Sequence, residues 1–154
     1  VKRWLSLSLF ASVVAGSAQS TPPAPTEAQL LAGAKSFFGT YLAAHQAKDA
    51  GRIAALYHDA ARIIVTRQSA ANGSRTLEFS GVQYKKLLLS VPLTEAPDRY
   101  LNPAYRVLGD GAVQITSQRQ SVSRGYTAPH VLFLRADAAG RFWIMAEQAV
   151  QKVP

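Results

Sequence analysis

The side chains able to move protons are few, and their spacing excludes most chemistries. The chain has three histidines, His45, His58 and His130, and no cysteine. No two histidines stand at metal-ligand spacing and no carboxylate cluster accompanies them, so neither a metal nor a cofactor is expected. Without cysteine, thiolate nucleophiles and disulfides are excluded together. His45 continues a helical side that carries Leu31, Phe38, Tyr41 and Leu42, where it either points into an interior or closes the helix end with a backbone contact. His58 precedes Asp59 at the end of a second helical pattern, a place where a cationic side chain suits a helix C-terminus. His130 alternates with Pro129 and Val131, so on a strand it faces away from the side that Val131 faces. One acid stands out. Glu147 shares strand alternation with Trp143, Met145 and Ala149, and a carboxylate in such company has a raised pKa unless it is paired. It then serves as an acid or base; the competing arrangement pairs it with Arg119 or another arginine.

The elements that must hold these groups follow from periodicity. Apolar residues recur at helical spacing through Leu30, Ala34, Phe37, Phe38, Tyr41 and Leu42, and again through Ile53, Leu56 and Tyr57 after Asp49, which is placed to cap the second helix. Residues 61–66 are a β-branched run, residues 67–75 a polar loop around Asn72-Gly73, and residues 76–79 a brief strand. Ser80 and Gln83 form an S-x-x-Q capping box ahead of Tyr84, Leu87, Leu88 and Val91, a third helix stopped by Pro92. Four long strands are then expected over residues 99–108, 112–123, 126–135 and 142–152, with turns at Gly109-Asp110-Gly111, Arg124-Gly125 and residues 137–140. Beyond Ile115 both faces of the second of these become polar, through Gln118 and Gln120 on one side and Ser117, Arg119 and Ser121 on the other.

This order of elements, with Tyr41 in an aromatic first helix, Asp49 opening the second, Leu56-Tyr57 near its end and Asp59-x-Ala61 before the first strand, resembles the family of nuclear transport factor 2, the ketosteroid isomerases, the polyketide cyclases and the scytalone dehydratases. The resemblance covers residues 27–152. It implies an α+β domain in which a cone-shaped, curved antiparallel sheet wraps around three N-terminal helices. It also makes the Trp143, Met145, Glu147 side of the last strand the cavity face, with Tyr41, Val65, Val131 and Phe133 completing the lining of a site for a small apolar or amphipathic molecule. The ketosteroid isomerase branch uses a first-helix tyrosine, a first-strand aspartate base and a second, protonated aspartate. Those positions fall here on Tyr41, on Val65, and on Val131 or Leu132. Valine cannot abstract a proton and leucine cannot donate a hydrogen bond, so isomerase activity is not expected. If the chain is an enzyme, the resemblance implies a metal-independent isomerase, cyclase or dehydratase using Tyr41 with Glu147 or His45.

The N-terminus reads as a secretory signal over residues 1–18: Lys2 and Arg3, an apolar run over residues 4–15, and small residues before Gln19. The apolar run is shorter than the roughly 20 residues a membrane span needs. A Pro-rich leader, residues 19–26, precedes the domain at residues 27–154, and a periplasmic or secreted location is expected. Lys and Arg total 17 against 9 acids, and loss of Lys2 and Arg3 leaves a net charge of about +6. The basic residues are scattered without interleaved exposed aromatics, so specific nucleic-acid binding is not expected. A sheet covered by helices on one side leaves its other side for a second copy, and a homodimer is the expected assembly.

Overall fold

The computed structural model describes residues 21–154, so the signal segment lies outside the described residues. Helix α1, Glu27–Gln46, opens with a capping box between Thr26 and Gln29, and buries the stripe Leu30, Ala34, Phe38, Tyr41 and Ala44. Their spacing of three and four residues keeps them on one face. Asp49 caps α2, Ala50–Ala54, by accepting from the Arg52 amide at 2.9 Å. This helix is one short turn and a half. The chain is already extended at Tyr57, where β1, Tyr57–Ser69, begins with a side chain that is 0% exposed. The expected helical end at Leu56-Tyr57 is therefore a turn at Leu56 and a strand start at Tyr57. His58 sits in β1 rather than at a helix C-terminus, and its Nδ1 accepts from the Ala60 amide at 3.1 Å.

Strand β2, Gly73–Ser80, pairs with β1 as far as Ser69 opposite Gly73. Residues 67–69 and 73–75 thus belong to the ladder and not to a loop; their exposed polar side chains hide backbone pairing that needs no apolar pattern. Gly73 adopts φ 73°, the left-handed conformation that its turn requires. Helix α3, Gly81–Ser90, carries the expected capping box between Ser80 and Gln83. Its first residue touches β1 so closely that a Cβ on Gly81 would overlap the His58 carbonyl oxygen. Of its apolar residues, Tyr84 and Leu88 pack on the core, whereas Leu87 and Val91 are exposed.

Strands β3, Arg99–Val107, β4, Ala112–Ser121, β5, Tyr126–Ala136, and β6, Phe142–Val153, complete a six-stranded sheet in the order β2-β1-β6-β5-β4-β3. The sheet is mixed and not purely antiparallel: β1 and β6 run parallel side by side, while every other pair is antiparallel. No hairpin joins those two strands, so connectivity does not force their relative direction. Helix α1 packs against β3 and β4 while α3 packs against β1, giving the α+β cone with its core between helices and sheet. Among the described residues no helix is long and apolar enough to cross a membrane.

Two local features decide which side chains enter the cone. On β5 the buried residues are Ala128, His130, Leu132 and Leu134, which puts Val131 and Phe133 on the outer face. On β6 the register with β5 shifts, Phe133 opposing Ala146 but Leu134 opposing Ile144, so Met145 is an extra residue. A bulge of this kind reverses the alternation. Ile144 points inward before it, Glu147 and Ala149 inward after it.

Candidate functional site

Among the described residues, the buried carboxylate of Glu147 is the hub of one connected set of polar side chains. Glu147, 5% exposed, accepts two hydrogen bonds: from the Tyr57 hydroxyl to Oε2 at 2.5 Å, and from Nε2 of His130 to Oε1 at 2.9 Å. The Nδ1 of His130 lies 3.4 Å from Ser117 Oγ, so the imidazole is held at both nitrogens. β1, β4, β5 and β6 each contribute one member. Residues 117 and 130 are directly opposed across the β4–β5 ladder, which fixes the serine beside the ring.

Electrostatics favours charge on Glu147. Burial pushes its carboxyl up, but the His130 hydrogen bond and charge and the Tyr57 hydroxyl outweigh it, so the group sits below the ordinary glutamate value. Tyr57 is held well above its usual value, first by burial and then by the Glu147 charge. It therefore remains a neutral donor. A buried carboxylate with two donors is a proton acceptor already satisfied from one side.

Tyr41 is buried and bonds elsewhere. Its hydroxyl shares a 3.0 Å hydrogen bond with Tyr100 on β3, and its ring stacks on Phe38 at 5.7 Å between centroids. The ring of His130 lies 6.1 Å away, which makes Tyr41 a neighbour of the pair and not a partner of Glu147. Burial is also the main cause of its raised pKa, ahead of the Glu147 charge. His45 packs against Tyr41, with ring centroids 4.3 Å apart, and burial lowers its pKa to about 4. It is neutral at pH 7. Arg119 does not pair with Glu147. It bonds to Tyr126 and to the Val150 carbonyl through Nη2, and stands 3.4 Å from Asp98 through Nη1.

Val65 and Glu147 line a common small cavity of about 90 Å³, together with Leu77, Phe79, Tyr84 and Arg119. A second cavity of about 430 Å³ lies at the mouth, bounded by His45, Lys48, residues 91–98, Arg124 and Gln151. The segment 91–98 is pinned there by Asp98 to Arg119, by Glu95 to Arg124 at 3.0 Å, and by Lys48 Nζ to the Thr94 carbonyl at 3.2 Å. Trp143 and Met145 are not in the interior. They border an outer depression of about 430 Å³ with His58, Asp59 and Lys85, where Arg141 lies 3.8 Å over the indole. Val131 borders a separate shallow outer pocket with Ile64 and Val150. Of the expected lining, the structure thus brings Tyr41, Val65 and Glu147 inside and leaves Val131, Phe133, Trp143 and Met145 outside. His130, expected to face outward, is the closest basic partner of Glu147.

No family model matches the chain, and no curated protein matches its sequence. Solved structures do match its architecture. A cystatin-like fold protein from Burkholderia xenovorans LB400 is 14% identical over 83% of this chain and 96% of its own, with a TM-score of 0.62. A nuclear transport factor 2-like protein from Cytophaga hutchinsonii is 12% identical over 80% and 97%, at 0.60. This chain has the nuclear transport factor 2-like fold. A putative dehydratase of the nuclear transport factor 2-like family from Streptomyces avermitilis has it too, 12% identical over 84% of this chain and all of its own, at 0.61. At such identities the likeness carries the fold and nothing about residues.

Among the described residues no group of histidines and carboxylates is arranged to hold a metal ion. What the nuclear transport factor 2-like cone offers here is acid–base chemistry: an ionised carboxylate, with an imidazole and a phenol hydrogen-bonded to it.

Proposed function

We propose that the protein binds a compact amphipathic organic molecule inside the cone, with the ligand's polar end in the cavity that Glu147 and Arg119 both border. The observation that carries this reading is the placement of Glu147, buried against His130 and Tyr57 yet bordering a cavity. Folding does not require such a group, since buried ion pairs are often replaceable by apolar residues with no loss of stability. The 90 Å³ beside Glu147 holds roughly three water-sized volumes at about 30 Å³ each. A larger ligand must also use the 430 Å³ mouth cavity, which falls within the range of roughly 300–1,000 Å³ found for small-molecule sites. Titration with 1-hexanol and with phenol, followed by amide chemical shifts, tests it. Saturable changes at Val65, Tyr84 and Glu147 are expected; changes confined to the outer sheet face contradict the reading.

The export signal over residues 1–18 and a periplasmic or secreted location belong to the same proposal, as does a homodimer through the outer sheet face. That face presents Ile64, Val131, Phe133 and Val150, partly buried, among the polar side chains of Gln114, Gln118 and Gln148, the apolar-centred and polar-rimmed pattern of an interface.

A second reading is favoured by the two proton-bearing groups on one carboxylate. In it, Glu147 and His130 move a proton in a dehydratase- or cyclase-type reaction; the Streptomyces avermitilis protein's name suggests a dehydratase for that protein. Glu147→Gln separates the two: binding without turnover in both forms supports the first reading, and turnover abolished by the substitution supports the second.

A further inference from the structure

Two buried nitrogens have no hydrogen-bond partner among the described residues: Nε2 of His45 and Nε of Arg119. Such groups are rare in folded proteins, and each calls for a reason. They are not independent. Tyr100 opposes Arg119 across the β3–β4 ladder, and its ring lies 6.0 Å from that of His45. Arg119 borders the small cavity beside Glu147, His45 borders the mouth cavity, and Gln151 borders both. The two unpartnered nitrogens thus belong to residues lining two neighbouring cavities, one of which contains Glu147.

We propose that Arg119 and His45 form a carboxylate-receiving subsite, so that the molecule taken into the cone is a small amphipathic carboxylic acid. This rests on the reading of the cone as a small-molecule site and adds the ligand's chemical class. Arg119 offers Nε–H as a donor at every ordinary pH. His45, neutral because of its burial, offers Nε2–H in one tautomer. The Nη groups of the guanidinium are clamped by Tyr126, Val150 and Asp98, which leaves its direction fixed and its buried Nε without a partner among the described residues. The mouth cavity balances Glu95 and Asp98 against Lys48 and Arg124, with Glu95 held by Arg124 and Asp98 facing Arg119. Arg67 borders the small cavity, and the negative charge of Glu147 is already held by His130 and Tyr57. A single added negative charge fits, whereas the presence of Glu147 disfavours a dianion. Val91, Pro92 and Leu93 line the mouth cavity and supply an apolar wall for the remainder of the molecule.

The test compares hexanoate with 1-hexanol, which share a chain and differ in the head group, by calorimetric or NMR titration at pH 7. Hexanoate is expected to bind about tenfold more tightly, as a charge-assisted hydrogen bond over a neutral one allows. That preference should disappear in Arg119→Lys, which keeps the charge and removes Nε–H, and should shrink in His45→Phe. If Arg119→Lys does not fold, His45→Phe carries the comparison. Equal affinity of the two probes overturns the subsite and leaves the small-molecule reading standing. A hexanoate preference untouched by either substitution places the acid elsewhere and also overturns it. Binding of neither probe overturns both readings.

Discussion

Tyr57 and Glu147 are 90 residues apart in sequence and share a 2.5 Å hydrogen bond in the middle of the sheet. One begins β1 and the other lies on β6, the two strands that run parallel. The bond exists because β6 inserts an extra residue at Met145, which turns Glu147 into the cone after Ile144 has already pointed there. Without the bulge, alternation would put either Ile144 or Glu147 on the outer face.

Breaking the pair from one side should be costly. His130→Leu leaves a buried carboxylate short of a donor, and a loss of about 3–5 kcal/mol is expected in urea unfolding. Glu147→Gln keeps an oxygen for Tyr57 and should cost less, about 1–3 kcal/mol. The double substitution His130→Leu with Glu147→Met should be less destabilised than His130→Leu alone. A double variant destabilised as much as or more than His130→Leu alone would show that the two side chains are not coupled in this way.

Acid should destabilise the protein through two groups of the same sign. His45 has a folded pKa near 4 against 6.5 for the free side chain, so the unfolded chain binds more protons between those values and stability falls as pH drops from 6.5 to 4. Glu147 is depressed in the fold. Its contribution is full above the ordinary glutamate value and is lost as pH falls through the lowered one. Stability measured from pH 7 to pH 4 should decline, and His45→Phe should flatten the part between 6.5 and 4. An unchanged slope in that variant would rule out His45 as a source.

Much of this arrangement is legible in the sequence, and the parts that are not share a cause. Caps are local: Asp49 on α2 and Ser80 with Gln83 on α3 are found by residue type and offset, and both form. Strand faces are not local. Val131 and Phe133 share alternation with the charged Arg135, and His130 shares it with Ala128, Leu132 and Leu134; the uniformly small and aliphatic company of His130 was the signal for the inner face. The bulge at Met145 left no such mark, since no residue type demands one there. Strict alternation therefore groups Trp143 and Met145 with Glu147, although they lie on the outer side. Tyr57 was visible as part of a Leu-aromatic pair, but its hydroxyl partner lies on β6 and depends on that bulge.

The contact between α3 and β1 gives a backbone prediction. Gly81→Ala would drive a Cβ into the His58 carbonyl oxygen and to 2.9 Å from that of Asp59, so the helix start must move. Thermal unfolding should show a large drop in Tm. Ser80→Ala, which removes only the cap, should cost about 1 kcal/mol. A Gly81→Ala variant as stable as the parent would mean that α3 does not approach β1 this closely.

Isomerase assays should be negative. Val65 faces the interior where the resemblance places a base, and Tyr41 is engaged with Tyr100. A positioned general base typically contributes about 10²–10⁴-fold, so turnover of a β,γ-unsaturated ketosteroid should stay near background. Tyr41→Phe should lower stability by about 1 kcal/mol through loss of that hydrogen bond. Robust turnover abolished by Tyr41→Phe would contradict this assignment.

The charge on Glu147 is the centre of the account, and its titration is the most direct test. With glutamate labelled at the carboxyl carbon, and the Glu147 signal assigned by its loss in Glu147→Gln, the ¹³C shift can be followed against pH. The predicted midpoint lies below the ordinary glutamate value in the parent and moves upward in His130→Leu. A midpoint above that value in the parent, unmoved by His130→Leu, would show a neutral carboxylic acid in place of the ionised, histidine-paired group on which the proposed site depends.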